Sequence, residues 1–205
     1  MTGIIDYGVG NLFSLRSSLS FIGEDAIVSG DCDQLSACDR ILLPGVGAFS
    51  DAARKLRESG LDTFVHDIAS RGKPLLGICL GMQLLFDRSY EFGDYEGLGL
   101  LHGSVVPIPD ADHTLKIPQI GWNALHFPKE KPKSKLFSGV HEGDCVYFVH
   151  SYYATDCVDS VSATTEYGIE LTAAAESGNV YGTQFHPEKS GKVGLNILRA
   201  FCSMN

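Results

Sequence analysis

The segment Gly77-Ile78-Cys79-Leu80-Gly81 follows an apolar run and precedes a helical pattern. A G-x-C-x-G placed between strand and helix is the nucleophile-elbow arrangement, with Cys in place of Ser. Its glycines permit a tight, strained turn that lifts the side chain above the carboxyl end of a sheet, where open α/β folds bind ligands. The N-terminus of the next helix favours a thiolate, lowering a thiol pKa from its usual value of about 8.5. The backbone N–H of Leu80 then points to where an oxyanion would form. A lone cysteine in a glycine-rich turn is more often an inert, buried one. The two flanking glycines at a strand-to-helix junction shift the balance toward a nucleophile.

A nucleophilic cysteine needs a base, and the base needs a group to hold it. Gln184-Phe185-His186-Pro187-Glu188 offers both. The residue before a proline is biased to an extended conformation, and side chains two apart in an extended segment point the same way. The His186 imidazole and the Glu188 carboxylate can therefore face one site, the carboxylate fixing the tautomer of the ring. Taken alone, a His-Pro-Glu run also fits a surface pair at a strand end. The zinc deaminase signature, which begins H-x-E, requires a later P-C-x-x-C, and only Cys202 follows here. Pro44-Gly45-Val46-Gly47 also follows an apolar strand. Its loop should lie beside the Cys79 turn, with the Val46 amide as a second oxyanion donor. Glycine and proline explain a plain turn there equally well.

Other motifs carry less. Gly8-Val9-Gly10 lacks the third glycine of a dinucleotide fingerprint, and Gly72-Lys73-Pro74 is no phosphate loop. His102, His113, His126 and His141 have no ligand spacing, so no metal or organic cofactor is expected. The chain has 205 residues, 44% hydrophobic and 20% charged, as for an ordinary globular domain. A formal net charge of −9 disfavours nucleic acid as a partner. None of the six cysteines forms a C-x-x-C pair, so reduced thiols are the default. No secretory signal or membrane span is visible, which points to the cytoplasm.

These residues must be held by a framework, and the pattern along the chain supplies one. Ile4-Ile5, Ala26-Ile27-Val28, Ile41-Leu42-Leu43 and Leu75 to Ile78 read as apolar strands. Helical patterns over Leu12 to Ile22, Ala48 to Glu58, Leu61 to Ser70 and Leu80 to Phe86 alternate with them. That alternation implies a doubly wound parallel sheet, covered on both faces. Beyond Leu100, Val105-Val106, Ala124 to Phe127, Val146 to Val149 and a hairpin about Ser177-Gly178-Asn179 read as more antiparallel strands. Val193 to Phe201 closes the chain as a helix. Lys129 to Lys133 reads as a solvated loop. Residues 1–205 are expected to form one α/β domain with one core.

With these motifs in place, the chain resembles the class I, triad-type glutamine amidotransferases. Within them it is most similar to the branch that serves imidazole glycerol phosphate synthases of histidine biosynthesis. The resemblance covers essentially the whole chain. It rests on the Cys79 and His186 motifs together with Ile4 to Asn11, Leu43 to Phe49, Pro118-Gln119-Ile120-Gly121-Trp122-Asn123 and Val149-His150-Ser151-Tyr152. It implies a flavodoxin-like, mostly parallel central sheet with an antiparallel extension. It implies that Gln83, Glu91, His150, Ser151 and Tyr152 hold L-glutamine, with backbone help from Gly45 and Gly47. It implies that Asn11, Gln119, Ile120, Trp122 and Lys189 lie at or near the face of a partner, a (βα)₈-barrel cyclase subunit in a heterodimer. Pro128 to Cys145 matches less distinctly, and no role is assigned there.

The expected chemistry is attack of Cys79 on the glutamine amide, with the oxyanion on Leu80 and Val46 and with His186 and Glu188 as base and orienter. Ammonia near neutral pH is mostly ammonium, a poor nucleophile, which argues for a partner that consumes it. Two rival classes are an α/β cysteine hydrolase or peptidase and a non-catalytic regulatory module. A different acceptor synthase is the alternative within the family.

Overall fold

The computed structural model describes residues 1–109 and 115–204; His113 lies outside them. The first half alternates as the apolar runs require. It contains β1 (Thr2–Ile5), α1 (Leu12–Phe21), β2 (Ala26–Ser29), α2 (Cys32–Ser36), β3 (Arg40–Gly45), α3 (Phe49–Glu58), α4 (Leu61–Ser70), β4 (Leu75–Cys79) and α5 (Leu80–Leu85). The second half is mostly strands: β5 (Phe86–Ser89), β6 (Tyr95–Glu96), β7 (Leu101–Pro107), β8 (Gln119–Ala124), β9 (Cys145–His150), β10 (Tyr152–Thr155), β11 (Val161–Tyr167), β12 (Ile169–Ser177) and β13 (Val180–Thr183). The helix α6 (Gly191–Cys202) follows.

The central sheet runs β11-β12-β13-β4-β3-β1-β2. From β13 to β2 every pairing is parallel; β12 with β13 and β11 with β12 are antiparallel. Every residue of β1, β3 and β4 is buried, as parallel strands covered on both faces must be. One face packs against α3 and α4 through Phe49, Leu56, Leu61, Val65 and Ile68. The other packs against α1 and α6 through Leu15, Leu19, Ile197, Leu198 and Phe201. A four-stranded sheet, β10-β7-β5-β6, and the hairpin of β8 and β9 complete the second half.

Several expectations are corrected. The strand read over Ala124 to Phe127 lies earlier, at β8. Of the later residues only His126 makes a bridge, to Thr164. The glycine and asparagine inside β8 hide its strand character from a propensity reading, whereas backbone pairing to β9 decides it. Phe86 leaves the helix and opens β5. The elements α2, β5, β6, β10 and β11 carry too little periodic apolar pattern to be seen from sequence.

Candidate active site

The topology explains why distant motifs meet. β4 lies between β3 and β13, with Gly45 opposite Cys79 and Thr183 opposite Ile78. All three strands are parallel, so the Pro-Gly-Val-Gly loop, the Cys79 turn and the segment entering His186 leave the sheet at one edge.

Cys79 sits at φ 56°, ψ −111°, left-handed backbone that L side chains rarely adopt. The helix α5 is seated against the sheet by the flanking glycines. A Cβ on Gly77 would come within 2.6 Å of the Gly81 carbonyl oxygen, and one on Gly81 would overlap the Leu43 carbonyl. The turn is held open by the absence of side chains at these two positions, which explains G-x-C-x-G in packing terms.

His186 Nδ1 lies 2.8 Å from Glu188 Oε1, with both side chains 3% exposed. The Cys79 thiol is within hydrogen-bonding reach of the same ring. Burial opposes a charge on His186, but hydrogen bonds to Cys79 and Glu188 outweigh it, and the imidazole is pushed up to about 9. The His186 ring is therefore charged at neutral pH, beside the Cys79 sulfur. The Ser190 hydroxyl donates to the His186 carbonyl at 2.6 Å and accepts from the Tyr147 N–H at 3.0 Å, fixing the short 3₁₀ turn Pro187–Lys189.

A cavity of about 470 Å³ opens over Cys79 and His186. Val46, Gly47, Leu80, Gln83, Glu91, His150, Ser151, Tyr152 and Lys189 line it. Glu91 is anchored by the Phe49 N–H, which donates to its Oε2 at 2.5 Å and so ties the carboxylate to the start of α3. Gly45 is not in the wall. It is buried, and a Cβ there would come within 2.7 Å of the Gly81 nitrogen; its role is close passage of β3 against α5. Glu188 sits behind His186, outside the cavity, in a pocket of about 10 Å³ shared with Asn11, Val46 and His186.

The residues grouped at a partner face separate. Ile120 and Trp122, two apart on β8, are exposed on one side at 61% and 55%. Trp122 stacks edge-on against Tyr147, and Lys189 Nζ lies 5.8 Å from the Tyr147 ring centre. Asn11 caps α1 through Ser14. Gln119 departs from the group: strand alternation turns it inward, and it is 1% exposed.

Four contributors escaped the sequence reading. Phe92, Pro118 and Val149 line the cavity. The Gln184 side chain donates to Cys79 Sγ at 3.8 Å. The signal for Gln184 was present, because it stands two residues before His186 in an extended segment and so shares its side.

A model of the family "Glutamine amidotransferase class-I" matches residues 4–204. The chain belongs to the class-I glutamine amidotransferases. Within this family it is 52% identical over 208 residues to imidazole glycerol phosphate synthase subunit HisH of Geobacillus sp. (strain WCH70), covering 100% of this chain and 97% of that one. It is 50% identical to the HisH subunit of Geobacillus thermodenitrificans (strain NG80-2), covering 98% and 94%. Among solved structures, PurLQS from Thermotoga maritima has the same fold, with a TM-score of 0.75 at 22% identity over 98% of this chain and 96% of that one. Among the described residues, no helix is long and apolar enough to cross a membrane.

Proposed function

We propose that this amidotransferase is the glutaminase subunit of an imidazole glycerol phosphate synthase in histidine biosynthesis. The observation that carries the reading is the line of Cys79 and His186 in the wall of one cavity with Glu188 behind the ring, in a chain similar over its whole length to HisH subunits.

The Cys79 thiolate attacks the side-chain amide carbon of L-glutamine, and the carbonyl electron pair moves to oxygen. The Leu80 and Val46 amides meet that oxyanion. The His186 imidazolium gives its proton to the amide nitrogen, the C–N bond breaks, and ammonia leaves a cysteinyl thioester. Neutral His186 then takes a proton from water as the oxygen attacks the thioester carbon. The C–S bond breaks, glutamate departs, and thiolate and imidazolium are restored. Glu188 orients the ring throughout. Gln83, Glu91, His150, Ser151, Tyr152 and the Gly47 backbone surround the substrate, Glu91 offering a carboxylate to its ammonium group.

The ammonia passes to a (βα)₈-barrel cyclase subunit docked over Ile120, Trp122, Lys189 and Asn11. There it enters imidazole glycerol phosphate, with an aminoimidazole carboxamide ribonucleotide as co-product. The chain releases glutamate from glutamine slowly alone and faster with the cyclase. Glutamate assays with and without candidate cyclase subunits test this. Equal turnover in both, or turnover of esters and peptides in place of glutamine, would overturn it.

A further inference from the structure

Gln119 and His150 face each other across the β8–β9 ladder. Both are buried. His150 Nδ1 is 2.8 Å from the Tyr152 carbonyl, which can only accept, so Nδ1 carries a proton. His150 Nε2 is 2.8 Å from the end of the Gln119 amide. With the amide oxygen at that end, His150 would need a second proton, and Gln119 Nε2 would be left buried with no partner among the described residues. Burial instead pushes His150 down to about 4, aided by the charge on His186 and opposed by the Tyr152 bond, so the ring is neutral. A half-turn of the amide resolves both conflicts: its N–H donates to a bare Nε2. The oxygen then takes the unpartnered place, the less costly of the two groups to leave unmade.

We propose that Gln119 is a positioning residue, donating its amide N–H to His150 Nε2 and holding the imidazole as the neutral Nδ1–H tautomer. The Tyr152 carbonyl that receives His150 also receives Gln83 Nε2 at 3.1 Å. The same Gln83 nitrogen donates to Gln184 Oε1 at 3.0 Å, and Gln184 Nε2 points at Cys79 Sγ. One chain of buried and part-buried hydrogen bonds thus runs from the strand bearing Ile120 and Trp122 to the sulfur. Gln119 acts on the cavity wall through His150 and Tyr152, so its main effect is on how glutamine is held. That kinetic consequence rests on the glutaminase reading; the tautomer does not.

The test uses the full chain labelled with ¹⁵N-histidine, the His150 signals being assigned by their loss in His150→Gln. Long-range ¹H–¹⁵N spectra at pH 7 should show a protonated Nδ1 and a bare Nε2. An Nε2–H tautomer, or two protonated nitrogens, would overturn the proposal. Gln119→Leu should raise the KM for glutamine about tenfold, the worth of one such hydrogen bond, with kcat held within about threefold. An unchanged KM would equally overturn it. Gln119→Glu, whose ionised carboxylate cannot donate, should convert His150 to the doubly protonated form in the same spectrum. An unchanged ring would show that residue 119 does not set the tautomer, whether or not the leucine variant folds. If wild-type protein turns over no glutamine, the glutaminase reading fails while the spectra still decide the tautomer.

Discussion

Glu188 Oε1 accepts from His186 Nδ1 at 2.8 Å, while its second oxygen has no partner among the described residues. The carboxylate is committed to a single ring nitrogen. Glu188→Gln preserves volume but offers the ring an amide, which can favour the other tautomer. Glutamate release should fall by about 10²–10⁴-fold with the fold intact by circular dichroism. Retention of more than a tenth of wild-type kcat would remove Glu188 from the mechanism.

The raised pKa of His186 has a thermodynamic counterpart. An ordinary histidine titrates near 6.5 when unfolded, whereas this one is held up to about 9 when folded. Between those values the native state binds more protons than the unfolded state, so stability falls as pH rises. The contribution is complete below pH 6.5 and gone above about 9, and amounts to at most about 3 kcal/mol. Cys79→Ala is the control. It removes one of the two hydrogen bonds that raise His186. Denaturant midpoints from pH 6.5 to 9.5 should fall less steeply in Cys79→Ala than in wild type.

Backbone strain at Cys79 separates stability from activity. At φ 56°, ψ −111° a side chain costs about 1–3 kcal/mol that glycine avoids. Cys79→Ala and Cys79→Gly should both lose glutamate release. The glycine variant should nevertheless melt about 2–4 °C above the alanine variant, an advantage of about 1 kcal/mol after the entropy of the unfolded glycine. A glycine variant that melts lower would mean the strain is absent.

Gly81→Ala places a methyl group on the Leu43 carbonyl, a backbone atom that cannot rotate away. The helix α5 must lift off the sheet, taking Gln83 with it. Loss of several kcal/mol of stability, or of soluble protein altogether, is expected. A crystal of a fully active Gly81→Ala enzyme would refute the packing account of the elbow.

Trp122→Ala removes a half-exposed aromatic that stacks edge-on against Tyr147. Glutamate release by the isolated chain should stay within about twofold of wild type, whereas affinity for the proposed cyclase subunit should fall by at least about 2 kcal/mol, roughly 30-fold. Calorimetric titration reads the second quantity. Undiminished affinity would move the docking face elsewhere.

Local chemistry was legible wherever short-range rules decide the outcome. The glycines about Cys79 announced a tight strand-to-helix turn, and the spacing of His186 and Glu188 across a proline announced that both side chains share one side. The runs at Ile4-Ile5, Leu42-Leu43 and Leu75-Leu76 are apolar without alternation, which is what burial on both faces of a parallel strand demands. What the chain did not disclose depends on long-range pairing. Strand alternation along β8 sends Gln119 inward and Trp122 outward, but the register is set by Phe148 and His150 on β9, some 30 residues on. Gly45 reads as a substrate-facing loop residue until α5 is laid against it. Gln184 became a neighbour of Cys79 only when β13 added beside β4. A residue's type and near neighbours limit what it can do, whereas which partner it meets follows from the sheet order, because contacts between segments far apart in sequence are made only when the whole core closes.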